Sequence, residues 1–270
     1  MTTESHDVVP TGFRSLDALL GGGLRPGTLT VLAGVTGSGA SMLAFTAIRN
    51  AVFGHGVPTY LATNEYMLDD VMAMLMAGEL GVPTRGLRNG KLDDGQAALV
   101  QANKHRFAEM PLTIDADPWS GFVHISGEME RIERLGFAVV DSVHGLALGP
   151  EAPYLSEQWV QGFGLALKRL ARQKNIPVLA TVKLNRPEKG RFRPLLGDLP
   201  TGGFETAADV LLMLDPCDAW DKQALTESGW DVDVIVAKQR GGATGAVNLV
   251  HQAHLGRFVE IGTDPRAGAA

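Results

Sequence analysis

The sequence predicts an α/β domain with a mainly parallel central sheet, helices on both faces and antiparallel hairpins at its C-terminal edge. Three observations predict it. Apolar strand-like runs alternate with helical patterns, the first run leads into a glycine-rich turn, and three closing runs are joined by short glycine-bearing links.

Taken in order, "TLTVLAG" (28–34) is a strand that feeds a turn, with a helix opening near Ser38. "PTYLAT" (58–63) precedes "LDDVMAMLMAGEL", a helix beginning around Leu68, where Met67, Met72, Met74 and Met76 read as core or helix-packing residues. "PLTI" (111–114) precedes the helical "SGFVHISGEMERIERL". "FAVVDS" (137–142) precedes "SEQWVQGFGLALKRLARQ", where Trp159, Phe163, Leu167 and Leu170 recur at helical spacing, and "PVLATV" (177–182) follows. "VDVIVAKQ", "GAVNLV" and "RFVEI", linked by "RGGATG" and "HQAHLG", read as hairpins added to the sheet edge. Residues 1–10 are expected to be a flexible polar lead-in, 11–262 the domain and 263–270 a flexible tail.

Composition narrows the class. The chain has 270 residues, 45% of them apolar, enough for one large domain with a buried core. A net charge of −6 argues against nucleic-acid binding by the whole surface, though not by a local basic groove. The single Cys217 excludes an internal disulfide and a paired-cysteine metal site, and reads as a packing residue. The polar start lacks the order of a signal peptide, and no apolar run approaches the ~20 residues of a membrane span, so a cytoplasmic protein is expected.

Three positions carry candidate chemistry, all where ligands sit in such sheets, beyond the carboxyl ends of the strands. The first is the loop Gly34, Val35, Thr36, Gly37, Ser38, Gly39, Ala40, Ser41 and Met42. It follows the phosphate-loop pattern G-x-x-x-x-G-K-[ST], with Ala40 where that pattern has lysine. A strand, a glycine turn and a helix start bring backbone N–H groups onto a phosphate, and Ser41 has the hydroxyl that Mg²⁺ uses. A plain glycine-rich turn is the alternative. The second is Asp141, ending "GFAVVD". It is either a carboxylate that orders Mg²⁺ through water or a cap for the next turn. The third is Glu65 in "LATNEYM", either the base that orients an attacking water or a cap for the helix near Leu68.

With these residues in view, the sequence resembles the RecA-like ATPase domain of DnaB-type replicative helicases. The resemblance is carried by "TGFRSLDALLGGGLRPGTLTVLAG" (11–34), "GELGVPTRGLRNGKL" (78–92), "PLTIDADP" (111–118), "FAVVDSVHGL" (137–146), "LKRLARQKNIPVLATVKLNR" (167–186) and "DVIVAKQRGGATGAVNL" (233–249). RadA- and KaiC-like proteins share the opening, but "AKQRGGATG" is most DnaB-like. The resemblance implies a RecA-like P-loop fold and a homo-oligomeric ring, usually of six, with ATP or another nucleoside triphosphate and Mg²⁺ between neighbours. It implies that Gly34 to Ser41 cradle the phosphates, that Glu65 is the general base and that Asp141 is the carboxylate on the Mg²⁺ side. It implies that Lys238 and Arg240 reach a neighbour's γ-phosphate; outside that context they are a solvated pair at a hairpin. The family's helicases also carry an N-terminal helical domain, for which this chain has no room, so the expected ring closes without it.

Two departures stand out. Ala40 replaces the loop lysine, and Lys183 in "TVKLNR" stands where the family usually has a glutamine that senses the γ-phosphate. The expectation is nucleotide binding with impaired hydrolysis, in an assembling or regulatory subunit in DNA replication or recombination, partnered by a replicative helicase or another replication protein. Two alternatives remain open: an active ATPase stimulated by single-stranded DNA, with Lys183 supplying the charge, and a scaffold that binds no nucleotide. In "NRPEKGRFRPLLGD" (185–198), Arg186, Lys189, Arg191 and Arg193 with Phe192 read as a contact for single-stranded DNA or as a solvated loop.

Overall fold

In the computed structural model the described residues are 8–146, 157–186, 193–216 and 229–260. The elements run α1 (Arg14–Leu20), β1 (Leu29–Gly34), α2 (Ala40–Arg49), β2 (Thr59–Thr63), α3 (Leu68–Leu80), α4 (Thr84–Asn89), α5 (Asp94–Ala108), β3 (Leu112–Asp115), α6 (Phe122–Arg131), β4 (Phe137–Asp141), α7 (Val143–Leu146), α8 (Glu157–Lys174), β5 (Val178–Lys183), α9 (Gly202–Ala207), β6 (Val210–Asp215), β7 (Trp230–Gln239), β8 (Gly245–Gln252) and β9 (Arg257–Glu260).

The strands form one sheet in the order β3-β2-β4-β5-β1-β6-β7-β8-β9. The six strands from β3 to β6 are parallel, and β7, β8 and β9 add on as antiparallel neighbours. Successive side chains of a strand point to opposite faces, and both faces of this sheet are buried. Leu29, Val31 and Ala33 of β1, with Ala138 and Val140 of β4 and Val178, Ala180 and Val182 of β5, join one core with Phe163, Leu167 and Leu170 of α8. Leu32, Val139 and Leu179 point the other way, into a core with Leu43, Phe45 and Ile48 of α2 and Leu75 of α3. Continuous apolar runs such as "VLLMLD" are the consequence of burial on two sides.

The expected α/β architecture is present, with several local differences. β6 is absent from the sequence-based expectation, and it is the strand that joins the parallel part to the hairpins. The helix expected over residues 120–135 is shorter. It stops at Arg131, because Ile132 turns extended and packs against the core while Arg134 takes a positive φ to lead into β4. α5 is a further addition; only its Phe107 is buried, so it has no apolar stripe, although Asp93 and Gln96 form a capping box at its start. The domain begins earlier than residue 11: Val9 is buried and exchanges backbone hydrogen bonds with Leu24 at 2.9 and 2.8 Å. Met74 is core, whereas Met67 precedes α3 and is exposed. Cys217 lies outside the described residues.

Candidate functional site

The chain crosses from one side of β1 to the other between β5 and β6, so the carboxyl end of β1 is a topological switch point. The glycine-rich loop leaves the sheet there. Ser38 folds back over Gly34, so closely that a Cβ on Gly34 would collide with the Ser38 hydroxyl. Gly37 and Gly39 have φ of +88° and +93°, conformations that favour glycine. Gly39 then caps α2, whose first helical bond is Leu43 N–H to Gly39 C=O at 2.9 Å. The amides before Leu43 have no acceptor within the helix and carry its positive end. They border a cavity of about 290 Å³ lined by residues 34–42 together with Glu65, Tyr66, Ser142, Thr181, Val182, Lys183, His251 and Ala253.

Asp141 ends β4 directly behind this loop and is fully buried. Its Oδ1 accepts from Ser41 Oγ at 2.8 Å and Thr181 Oγ1 at 2.6 Å, and its Oδ2 accepts from Thr63 Oγ1 at 3.4 Å. Burial is the largest influence on its proton affinity and pushes its pKa up to about 6; the hydroxyl donors oppose the rise and Glu65 adds to it. The Asp141 side chain therefore does not cap a turn.

Glu65 does not cap α3 either, because Met67 occupies the N-cap position and the acids of the first turn are Asp69 and Asp70. Instead its Oε1 accepts from Ser142 Oγ at 3.1 Å and pairs with Lys183 Nζ at 2.5 Å. Lys183 is the last residue of β5 and stands in register with Gly34, at the mouth of the loop. It is the one lysine or arginine among the described residues lining the cavity. Ala40 is in that lining and supplies no charge. Beneath Lys183, burial and then the Lys183 charge hold the His144 pKa below its ordinary value.

Arg240 lies at the amino end of the sheet, away from the loop, and Lys238 lies midway along it. Lys238 is opposite Leu211 in the β6–β7 ladder, and Arg240 N–H donates to the Asp209 carbonyl before β6. Arg240 is nearly the length of β1 from the cavity of its own chain, and Lys238, level with Leu211 and Val31, is three residues, roughly 10 Å, along the strands from Gly34 and two strands across from β1. Lys238 is half-buried and Arg240 exposed, and each has a partner within its own chain. Lys238 Nζ donates to the Glu205 carbonyl at 2.5 Å, and Arg240 Nε lies 3.4 Å from Asp209 Oδ1. Burial, then Arg240 and Lys168, lower the Lys238 pKa.

Of the expected DNA contacts, Arg186 and Arg193 are exposed, and Lys189 and Arg191 lie outside the described residues, as does Phe192. The stem of this loop is closed by Asn185 N–H to the Asp198 carbonyl at 2.8 Å and by Leu195 N–H to Asp198 Oδ2 at 2.7 Å. Arg193 acts electrostatically on Asp215, so part of its charge has an acidic neighbour.

Sequence reading missed Thr63, Thr181, Ser142 and His251. The first three sit on or just beyond the carboxyl ends of adjacent strands, a placement legible only once the strand order is known. His251 sits on β8 and packs behind Gly39.

The residues fit a triphosphate with a divalent cation. The loop has the two positive-φ glycines and the helix start that a phosphate cradle needs, Ser38 Oγ is buried without a partner, and the cavity beside it is open. Ser41 and Asp141 present a hydroxyl and a carboxylate in contact, the hard oxygen donors Mg²⁺ prefers. No helix among the described residues is long and apolar enough to cross a membrane.

Comparison with known proteins agrees with this geometry. The family described as "DnaB-like helicase C terminal domain" matches residues 8–260. A replicative DNA helicase DnaB of Leifsonia xyli is 32% identical over 259 residues, which cover 94% of this chain and 56% of that protein. The chain thus spans about half the length of the curated relatives it matches. A solved structure described as an ATPase domain superposes with a TM-score of 0.84 at 21% identity, covering 96% of this chain and 93% of that one. A solved DnaB-like replicative helicase, described with its interactions with primase, gives 0.85 at 20% identity over 95% of this chain and 62% of that one.

Proposed function

The chain belongs to the DnaB-like helicase C-terminal domain family, and from that premise we propose that it is a nucleotide-binding domain with impaired ATP hydrolysis that works in DNA replication. One observation carries the reading. The loop cradle is open and complete in its backbone, while position 40 offers no cation and the one nearby lysine is bound to Glu65.

The loop amides from Gly34 to Met42 bind the phosphates, and this binding does not depend on the side chain at residue 40. When bound, Mg²⁺ would neutralise phosphate charge, and Ser41 and Asp141 are the residues that would hold it. Glu65 Oε1 is the oxygen placed to orient and deprotonate a water, and Ser142 fixes it. While Lys183 holds that same oxygen, the base is engaged. A missing transition-state donor slows turnover ~10²–10³-fold, so the absence of a lysine at 40 is sufficient for the impairment. Lys238 and Arg240 are too far from their own cavity to serve it. Their reading as residues that reach a neighbour's γ-phosphate requires a ring of copies, six in the family pattern, and requires release from Glu205 and Asp209. Arg186, Lys189, Arg191 and Arg193 are the proposed contacts to single-stranded DNA, and a replicative helicase or another replication protein is the proposed partner.

A second reading has a specific observation behind it. Lys183 stands in register with Gly34 and lines the cavity, so turning away from Glu65 would bring its charge to the phosphates and free the base in one movement. The open cavity speaks against a scaffold without nucleotide.

Titration of the protein with MgATP and MgADP, followed by turnover with and without single-stranded DNA, tests the assignment. Micromolar to millimolar binding with little turnover is expected. Absence of binding would overturn it, and DNA-stimulated turnover abolished by Lys183→Ala would establish the second reading in its place.

A further inference from the structure

His251 is the least satisfied polar side chain near the loop. Strand alternation sends it to the buried side of β8 with Leu249. Its ring stacks on Phe258 of β9 with centroids 4.3 Å apart and planes 1° from parallel, and it meets the edge of Trp230 of β7 at 4.4 Å. It is 5% exposed, and neither Nδ1 nor Nε2 has a hydrogen-bond partner. Burial alone pushes its pKa down to about 4, and no charged group contributes. At neutral pH the ring is therefore an uncharged imidazole with one unused N–H and one unused lone pair.

A phenylalanine would fill the same stack without burying two unpaired polar atoms, so packing does not explain the histidine. Its position offers an explanation. The ring lies so close behind Gly39 that a Cβ there would be 2.8 Å from Cε1 and 3.0 Å from Nδ1. With Ala253 it lines the cavity from the hairpin side, whereas Glu65, Ser142 and Lys183 line it from the side of β2, β4 and β5. A nucleotide whose terminal phosphate faces Glu65 runs along the loop toward His251.

We propose that His251 is a binding residue for the nucleoside side of the nucleotide, its neutral imidazole hydrogen-bonding the ribose or the phosphate attached to it. The inference rests on the reading of the cavity as a nucleotide site and deepens it. It makes the hairpin strands part of the ligand pocket, and it gives the unpaired ring nitrogens a role when the site is filled.

His251→Phe keeps the stack and removes the polar atoms. Titration of the unaltered protein and the variant with MgADP and with magnesium pyrophosphate, which lacks the nucleoside, tests the proposal. The expected result is about tenfold weaker ADP binding with pyrophosphate affinity unchanged within about twofold. Equal ADP affinity in the two proteins overturns it, as does an equal loss for pyrophosphate, which would mean that the ring acts through the shape of the loop. If the unaltered protein binds neither ligand, the nucleotide reading itself has failed. If the variant does not fold, ¹⁵N spectra of the imidazole in the unaltered protein decide. MgADP must shift an imidazole nitrogen resonance of His251 and pyrophosphate must not; an unmoved resonance overturns the proposal.

Discussion

Two buried aspartates sit at opposite ends of the sheet and are held in opposite ways. Asp209, before β6, accepts from Leu29 N–H at 3.1 Å and from Lys168 Nζ at 2.7 Å, with Arg240 Nε 3.4 Å away. Asp141, ending β4, is held by three hydroxyls and contacts no lysine or arginine among the described residues. The first carboxylate has its cation built in and closes the amino end of the sheet. The second is desolvated without a counter-charge, and it lies behind a cavity, with Ser41 between them. A buried acid that lacks a cation and borders a cavity is poised to accept one; a buried acid already paired holds structure.

Breaking the paired side should have the largest effect. Lys168→Met leaves Asp209 charged and buried with only the more exposed Arg240 nearby. The expected loss is about 3–5 kcal/mol of unfolding free energy by denaturant titration. A loss below about 1 kcal/mol would mean that the pair does not staple α8 to β6.

The same class of substitution at the other end should act in the opposite direction. The folded pKa of Asp141, about 6, lies above its unfolded value near 3.8. Between these values the folded chain holds a proton that the unfolded chain has released, so stability from this group falls as pH rises from 4 through 6 and stays lower above. In EDTA at pH 8, Asp141→Asn should therefore stabilise the protein, by up to about 3 kcal/mol. The gain should vanish below pH 4. A destabilised variant at pH 8 would show that the hydroxyl cluster needs the charge.

Arg240→Ala sharpens the contrast with the smallest expected change. Its side chain is 60% exposed, so the pair with Asp209 should contribute no more than about 1 kcal/mol. A cost comparable to that of Lys168→Met would make Arg240 a structural residue and weaken its role toward a neighbouring copy.

What the sequence made legible follows from how local each signal is. The cradle is a backbone feature fixed by Gly34, Gly37 and Gly39 at set spacing, and Asp141 and Glu65 follow directly from strands that periodicity reveals. Asp209 escaped notice because Lys168 lies 41 residues away and meets it only through the packing of α8 on α9. β6 is a buried apolar run ended by an acid, "VLLMLD", the same pattern that made "FAVVD" readable, and it could have been found on that ground. α5 could not be found by periodicity, since it buries a single residue; its capping box was the available signal. His251 reads in sequence as one polar position in an alternating strand. Only the folding of β8 and β9 against α2 brings it behind the loop.

The central claim is that the phosphate cradle is intact and its lost cation is the brake. The most direct measurement is steady-state MgATP turnover of Ala40→Lys against the unaltered protein, with nucleotide affinity measured on both. The account predicts turnover about 10²–10³-fold higher in the variant. Retained nucleotide binding in both proteins with no gain in turnover would contradict it.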